Sequence, residues 1–317
     1  MNIVITGGAG FIGARLLKAL LTQFPSVNKI QVVDRVALPQ EDLTSNKVQS
    51  TVADITQPDE IANIIDAETT HVFHLAAIVS SHAEEDFDLG MEVNLKATQL
   101  LLERCRQVNP QIRFIFSSSI AVFGGELPNE VDSMTAMQPS SSYGTQKAIC
   151  ELLVNDYARK GFVDALSVRL PTICVRPGSP NKAASSFVSG IIREPLKNLP
   201  SNCPLNTSLP LWVSSPQTVI ENIVHASKIS SDALEGFRTL NLPGLQTTPG
   251  EMIESLAKLM GNSCTEYISY DKDPTIERIV SSWPQAINNE KELSLGFSKD
   301  KDFDAILKLY VEENPTG

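Results

Sequence analysis

The sequence predicts an α/β fold, a doubly wound parallel sheet with a smaller interleaved lobe toward the C-terminus. Three observations support this prediction. Short β-branched runs alternate with longer amphipathic stretches between Ile3 and Leu170, as consecutive βαβ units do. A glycine-rich turn separates the first strand from the first helix. After Leu170 the alternation stops, and eight prolines between Pro171 and Pro216 indicate loops.

The alternating pattern gives approximate bounds for each element. Strands are predicted at residues 3–6, 30–34, 48–52, 71–76, 112–117 and 165–170. Helices between them are predicted at residues 11–22, 58–65, 91–107 and 143–160. Further along, we expect helices near 185–193, 216–229 and 302–312, and a strand at 239–241.

Composition and charge exclude several classes of function. Of the 317 residues 42% are hydrophobic, and the formal net charge is −11 at pH 7. A nucleic acid partner is not expected, because binding one requires a basic face that neutralises phosphates. The chain has no run of 18 apolar residues, and its first strand starts too early for a signal peptide. We therefore expect a cytoplasmic protein without a membrane partner.

Neither the cysteines nor the histidines indicate a metal site. The five cysteines are scattered, odd in number and without a Cys-x-x-Cys pair, so we expect reduced thiols. The four histidines lack the spacing of metal ligands. The sequence therefore predicts a protein without a bound metal.

The turn after the first strand has the pattern of a dinucleotide-binding loop. Gly7, Gly10 and Gly13 stand three residues apart, where the strand ends and the helix begins. Glycine permits the tight turn, and backbone N–H groups at the helix start, including those of Phe11 and Ile12, can approach a pyrophosphate. This context predicts a Rossmann domain that binds a dinucleotide.

Residues at the ends of the next strands extend the predicted cofactor site. Asp34 can accept hydrogen bonds from the adenosine ribose and repel a 2′-phosphate, which favours NAD, although Arg35 leaves NADP open. Asp54 follows the third strand, where it can meet the adenine amino group. Beyond the glycine loop, the predicted cofactor contacts are Asp34, Asp54, Ile55, Leu75, Ala76, Ala77 and Asn94.

A tyrosine and a lysine four residues apart are the candidate reacting groups. Tyr143 and Lys147 lie on one face of a predicted helix, one turn from each other. Tyrosine is a poor base at its reference pKa of about 10, and we expect the nearby ammonium to lower the pKa. Ser119, at the end of a buried strand, can hold a substrate oxygen while the phenol moves a proton. These features predict dehydrogenase-type chemistry.

These motifs, in this order, resemble the extended short-chain dehydrogenase/reductase family, which includes nucleotide-sugar epimerases and related dehydrogenases. The resemblance covers roughly residues 1–230. It implies that Ser119 polarises the substrate oxygen, that Tyr143 is the base, and that Lys147 binds the nicotinamide ribose. It also implies that Pro171 and Asn94 lie in the cofactor site. Phe123 departs from the pattern, since epimerases usually carry a tyrosine at this position.

The motifs and the change in composition divide the chain into two predicted units. An NAD-binding Rossmann domain covers residues 1–170, and residues 211–241 return to it. A substrate-binding lobe comprises residues 171–210 and 242–317.

Longer stretches in both units resemble one sugar-acid dehydrogenase of this family. This resemblance implies NAD-dependent oxidation of the C2 hydroxyl of a small sugar acid, giving the 2-oxo acid. Such a substrate needs a cation for its carboxylate, and arginine offers the best fork of donors. The predicted substrate contacts are Ser80, Ser119, Tyr143, Arg176 and Arg193.

Two other functions remain open. A nucleotide-sugar epimerase uses the same three reacting residues, and a non-catalytic dinucleotide sensor needs only the cofactor loop. A dehydratase is rejected, because Ile120 and Ala121 stand where it needs an acid beside the serine. The resemblance also implies a homodimer, formed by the helices that carry Met91, Leu95, Leu102, Leu152 and Leu153.

Overall fold

A parallel sheet forms the centre of the molecule in the computed structural model, which describes residues 1–43, 45–234 and 236–315. Its strands follow the order β10-β6-β5-β4-β1-β2-β3, and every neighbouring pair is parallel. The strands of the described residues are β1 (Asn2–Thr6), β2 (Lys29–Asp34), β3 (Val48–Val52), β4 (His71–His74), β5 (Arg113–Ser119), β6 (Asp164–Leu170), β7 (Thr172–Ile173), β8 (Ser201–Asn202), β9 (Leu211–Ser214), β10 (Thr239–Asn241), β11 (Leu245–Thr247) and β12 (Ile268–Ser269). The predicted doubly wound fold is confirmed, with its switch point between β1 and β4.

Helices cover both faces of this sheet. The helices of the described residues are α1 (Phe11–Gln23), α2 (Pro58–Ile64), α3 (Ser80–Glu85), α4 (Phe87–Gly90), α5 (Ala97–Val108), α6 (Ser142–Arg159), α7 (Ser186–Arg193), α8 (Pro216–Lys228), α9 (Pro249–Met260), α10 (Pro274–Ser281), α11 (Glu290–Ser294) and α12 (Phe303–Glu313). Apolar residues of α1 and α8 pack on one face, and those of α2, α5 and α6 pack on the other. Among the described residues, no helix has the length and apolar character needed to cross a membrane.

A second apolar core lies in the C-terminal part of the chain. It joins α7, α9, α10 and α12 to β9. The strand β9 pairs with β7 and β11 in a small separate sheet. Of residues 211–241, which the sequence assigns to the Rossmann domain, α8 packs on the parallel sheet and β10 joins it, whereas β9 pairs in the small separate sheet. A short buried strand does not reveal from sequence which sheet it joins.

The helix predicted at residues 91–107 begins with a π-helical turn, Met91–Lys96, before α5. The carbonyl oxygen of Asn94 accepts a hydrogen bond from Thr98 Oγ1 at 2.7 Å. The side-chain Oδ1 of Asn94 accepts from the backbone N–H of Ile78 at 2.8 Å. A π-turn adds a residue to the helical turn and is frequent at functional sites. Here it directs Asn94 toward the loop after β4.

A buried histidine links β1, β4 and α5 beneath the carboxyl edge of the sheet. His74 Nδ1 lies 2.6 Å from Thr6 Oγ1, and Nε2 lies 2.9 Å from Thr98 Oγ1. Burial, assisted by the charge of Lys147, lowers the pKa of His74 to about 3. The ring is therefore neutral in the folded protein at pH values where it is protonated in the unfolded chain.

We expect this histidine to make the protein less stable in acid. Below the ordinary histidine pKa of about 6.5, the unfolded chain binds a proton that the folded chain refuses until about pH 3. The contribution of neutral His74 to the unfolding free energy is fully present above about pH 6.5 and is lost as the pH falls. Between pH 7 and pH 5, His74→Gln should therefore lose about 2 kcal/mol less unfolding free energy than the wild type, in chemical denaturation. His82→Gln is the control, and an equal loss in all three proteins would contradict the prediction.

Candidate active site

A groove crosses the carboxyl ends of β1 to β4. Its volume is about 270 Å³. The predicted cofactor residues that line it are Gly7, Gly10, Asp34, Asp54, Ile55, Leu75, Ala76 and Ala77. Val33, Arg35, Ala53, Ile78 and Val93 complete the lining. The residues predicted from four separate strand ends thus meet in one recess.

The glycine loop brings the backbone close to its neighbours. Gly7 has φ +70°, and a Cβ at this position would lie 2.6 Å from the backbone nitrogen of Ala76. A Cβ at Gly13 would lie 2.5 Å from the carbonyl oxygen of Gly7, so glycine lets α1 pack on the loop. The helix begins at Phe11, and the first N–H groups of a helix, here those of Phe11 and Ile12, have no acceptor within it. The loop therefore fits a phosphate group.

Two carboxylates are held at the groove by short hydrogen bonds. Asp34 accepts from the backbone N–H of Ala9 at 3.1 Å and from that of Arg35 at 2.7 Å. A carboxylate has about four acceptor sites, so Asp34 can also accept from ribose hydroxyls. The Asp54 carboxylate accepts from the backbone and side chain of Thr56, which lowers its pKa. Both side chains present acceptors where a nucleoside would bind.

Asn94 supports the groove without facing it. Its Nδ2 donates to the carbonyl oxygen of Ile78 at 3.0 Å and to Gln146 Oε1 at 2.7 Å. Its Oδ1 accepts from the Ile78 N–H, and the side chain is buried. Asn94 does not line the groove in this structure, and its contact with the cofactor stays a prediction. The side-chain amide instead fixes Ile78, which lines the groove.

A smaller cavity lies at the carboxyl ends of β5 and β6. Its volume is about 140 Å³, below the roughly 300–1,000 Å³ of pockets for drug-sized ligands. The lining residues are Val79, Ser80, Ser118, Ser119, Ile120, Tyr143, Leu170, Pro171, Thr172, Ile173, Arg176, Ala183, Ser185 and Trp283. The size suits a small substrate, and the lining combines the candidate reacting groups with residues of the C-terminal lobe.

The first turn of α6 places Tyr143 beside Ser119. Ser141 caps the helix, with its Oγ accepting from the Gly144 N–H at 3.1 Å. A Cβ at Gly144 would lie 2.1 Å from the carbonyl oxygen of Ala121, so only glycine permits this approach. Burial raises the pKa of Tyr143 to about 12, although a hydrogen bond with Ser119 acts in the opposite direction. The phenol is therefore protonated at neutral pH.

Lys147 lies beneath the tyrosine ring. Its Nζ donates to the carbonyl oxygen of Ser117 at 2.7 Å and lies 5.7 Å from the centroid of the Tyr143 ring. Burial lowers the pKa of Lys147 to about 8. Loss of solvation dominates at both groups, so the net shift of the Tyr143 pKa is upward, opposite to the shift expected from the nearby ammonium.

Of the two arginines predicted to bind substrate, only Arg176 reaches the cavity. Arg193 lies on the buried face of α7, where its Nη1 donates to the carbonyl oxygen of Arg176 at 2.8 Å and Nη2 pairs with Glu194. The Arg193 side chain holds its own lobe together and does not line the cavity, so its contact with substrate stays a prediction. Ser80 lines the cavity, and its Oγ accepts from the Ala184 N–H at 3.0 Å.

Several cavity residues were missed in the sequence. Trp283 lies just beyond α10 and reaches the cavity from the C-terminal lobe, while Thr172 and Ile173 form β7. None of them belongs to a motif. The sequence offered only weak signals for these residues. Trp283 is one of two tryptophans and precedes a proline, and Gly144, which lets α6 approach Ala121, lies beside Tyr143.

Comparison with known proteins defines the class. The NAD dependent epimerase/dehydratase family matches this chain over residues 3–212. The chain belongs to this family and is an NAD-dependent dehydrogenase. The backbone approach at Gly7, the free amides of α1 and the carboxylates of the groove all fit NAD.

Relatives are similar along nearly the whole chain. A D-erythronate dehydrogenase from Haemophilus influenzae is 48% identical over 316 residues, covering 98% of this chain and 99% of the relative. One from Cupriavidus necator is 46% identical over 321 residues, covering 99% and 98%. A crystal structure described as a nucleoside-diphosphate-sugar epimerase from Agrobacterium tumefaciens has a TM-score of 0.91 and 37% identity, covering 99% of this chain and 94% of that one.

Proposed function

We propose that this dehydrogenase oxidises the C2 hydroxyl of a small sugar acid, with D-erythronate as the first candidate and its 2-oxo acid as the product. The observation that carries the proposal is the small cavity in which Ser119, Tyr143 and Arg176 meet. The names of two relatives with nearly full-length similarity support the choice of acid.

Arg176 supplies the cation that an acid substrate requires. Arg176 is half-buried, and partial loss of solvation lowers the pKa of its guanidinium. Nη2 donates to the neutral amide of Asn181 at 3.3 Å, and within the described part of the chain no carboxylate forms a salt bridge with Arg176. A substrate carboxylate would therefore gain a charge-assisted hydrogen bond from a cation that has no carboxylate partner.

The reacting groups then act on the substrate hydroxyl. Ser119 donates to the hydroxyl oxygen and holds it toward Tyr143. Once it has lost its own proton to solvent, the Tyr143 oxygen can take the hydroxyl proton as the C2–O bond becomes a carbonyl. NAD, when bound, would supply the acceptor for the hydride that leaves C2. Lys147 and Pro171 would hold the nicotinamide end of the cofactor, and the groove of β1 to β4 would hold the adenosine end.

The cysteines bear on where this reaction takes place. All five are free and buried. Burial raises the pKa of the Cys105, Cys150 and Cys174 thiols, so they remain protonated and unreactive. Free thiols are typical of proteins in a reducing compartment, which supports a cytoplasmic location.

Turnover with NAD tests the function, with Tyr143→Phe as the decisive variant. We expect purified protein to reduce NAD with D-erythronate, faster at alkaline pH because the base must lose its proton before it accepts another. Tyr143→Phe should lower kcat by about 10²–10⁴, the usual contribution of a general base, with NAD affinity within a few-fold. Absorbance of reduced NAD measures turnover, and calorimetry measures affinity.

Tyr157→Phe is the matched control, because Tyr157 lies on the same helix and donates to Glu103 at 3.1 Å, away from the cavity. It should retain wild-type turnover. Activity on nucleotide sugars with none on free acids would replace the proposal with an epimerase. Silence with every substrate would favour a sensor, and near-normal turnover by Tyr143→Phe would remove the phenol from its role.

Replacing Arg176 should weaken binding of the acid specifically. A hydrogen bond to a charged group contributes about 2 kcal/mol, so Arg176→Ala should raise KM for the acid roughly 30-fold. The KM for the uncharged polyol of the same length should change little, because that compound has no carboxylate. Steady-state kinetics on both substrates measures the difference.

Lys182→Ala is the control for this experiment. Lys182 belongs to the same segment, but its ammonium pairs with Glu85 at 2.7 Å on the surface. We expect an unchanged KM in this variant. Equal losses for the acid and the polyol in Arg176→Ala would mean that the arginine does not bind the carboxylate.

The exposed face of α6 supports a homodimer as a further part of the proposal. Leu152 is 54% exposed, and Ile149, three residues earlier on the same helical face, also reaches solvent. Leu102, which the sequence suggested as part of this interface, is fully buried in the core and does not contribute. Apolar side chains that lie together on a surface often mark a contact with another chain.

Sedimentation equilibrium tests this interface. We expect a wild-type dimer and a Leu152→Arg monomer at the same protein concentration, because a desolvated guanidinium would be unpaired in the interface. Leu293→Arg introduces the same charge at an exposed leucine of α11 and should leave the dimer intact. A Leu152→Arg dimer of unchanged affinity would place the interface elsewhere.

A further inference from the structure

A buried ion pair lies directly behind the catalytic cavity. Glu151, two turns after Tyr143 on α6, is fully buried, and Arg169 on β6 is 4% exposed. Arg169 Nη2 lies 2.7 Å from Glu151 Oε2, and Nε lies 3.0 Å from Oε1. The guanidinium of Arg169 also lies 4.6 Å from the centroid of the Phe123 ring. Epimerases usually carry a tyrosine at this position, and its hydroxyl would need a hydrogen-bond partner here. The two side chains form a forked pair closed to solvent.

The same carboxylate grips the catalytic strand. Ser118 Oγ donates to Glu151 Oε1 at 2.5 Å. Ser118 stands between Ser117, whose carbonyl oxygen accepts from Lys147, and Ser119, which lies beside the phenol. A shift of Ser118 therefore shifts both neighbours, because they share one strand end.

The pair is also anchored by β10 of the parallel sheet and, through it, by α11 of the C-terminal lobe. Arg169 Nη1 donates to Asn241 Oδ1 at 3.3 Å on β10. The backbone N–H of Asn241 donates to the buried Glu292 carboxylate at 2.9 Å, and Asn289 Nδ2 donates to the Asn241 carbonyl oxygen at 2.7 Å. Three strand ends and α11 thus converge on Glu151 and Arg169, which leaves the pair little freedom to move.

Stability alone does not explain such a pair. The desolvation of two buried charges generally offsets their attraction, and apolar side chains of similar volume are often as stable. We propose that Glu151, held by Arg169, is a positioning residue that fixes Ser119 and provides the negative counter-charge for Lys147. The buried charges thereby fix the position of Ser119 and the electrostatic field at Lys147.

The counter-charge follows from the surroundings of Lys147. Lys147 and Glu151 lie one turn apart on the same side of α6. Burial lowers the pKa of Lys147, and the Glu151 carboxylate acts against that effect. The titratable and charged groups that face Lys147 from α6, β4 and β6 are Tyr143, Cys150, Glu151, His74 and, through Glu151, Arg169.

Two measurements on Glu151→Gln test the two parts of the proposal. The amide keeps the shape of the side chain and an acceptor for Ser118 but removes the charge. We expect Lys147 Nζ to titrate about one pH unit or more below the wild type, by NMR of protein with labelled lysine, assigned with Lys147→Met. We also expect kcat for the acid to fall about 10-fold or more with KM within a few-fold, since binding residues are untouched.

Asp164→Asn is the matched control. Asp164 on β6 pairs with the buried Arg113 on β5 at 3.0 Å. This pair lies at the amino ends of the two strands whose carboxyl ends carry Ser118 and Arg169. It should lower stability without moving the Lys147 titration or kcat. A Lys147 titration in Glu151→Gln equal to that of the wild type would overturn the counter-charge, and equal losses of kcat in Glu151→Gln and Asp164→Asn would overturn positioning.

A second variant covers the case in which an unpaired Arg169 prevents folding. Glu151→Gln with Arg169→Met removes both charges, so no buried cation is left alone. The pKa of Lys147 in this double variant should still lie below that of the wild type. An unchanged pKa would again overturn the proposed counter-charge. The kcat measurement rests on the proposed oxidation of a sugar acid, whereas the titration does not. If the wild type is inactive on every acid but Glu151→Gln still lowers the pKa of Lys147, the proposed oxidation is wrong and the proposed counter-charge stands.

Discussion

The close approach of α6 to the end of β5 organises the whole site. Gly144 allows it, because a Cβ there would lie 2.1 Å from the Ala121 carbonyl oxygen. Successive turns of the helix then engage three consecutive serines: Tyr143 meets Ser119, Lys147 donates to Ser117, and Glu151 accepts from Ser118. Because i, i+4 and i+8 share one helical face, a single packing contact sets three interactions at once.

Burial of this contact shifts the pKa values of Tyr143 and Lys147 in opposite directions. It raises the pKa of Tyr143 to about 12 and lowers the pKa of Lys147 to about 8. Desolvation disfavours the charged form of each group, so the pair by itself favours a neutral phenol. In the proposed oxidation, removal of the substrate proton therefore needs charges beyond Tyr143 and Lys147, and the proposed counter-charge from Glu151 would set the charge state of Lys147.

The sequence predicted whatever depends on neighbours along the chain. The glycine loop, Asp34 and the spacing of Tyr143 and Lys147 are local patterns tied to one strand end or one helical turn. Two residues predicted to contact ligands are instead held by partners far apart in sequence: Asn94 bonds to Gln146, 52 residues away, and Arg193 bonds to the carbonyl oxygen of Arg176. A polar residue near a site is indistinguishable from one that supports it until those partners are known.

Substrate choice must come from the cavity wall rather than from the reacting groups. Ser119, Tyr143 and Lys147 match the pattern shared by epimerases and dehydrogenases, so they do not discriminate between a nucleotide sugar and a free acid. Arg176 and Trp283 come from the C-terminal part of the chain and close a cavity of about 140 Å³. In the proposed function, a half-buried guanidinium without a carboxylate partner at so small a cavity favours a compact anion, because such an anion would supply the missing counter-charge.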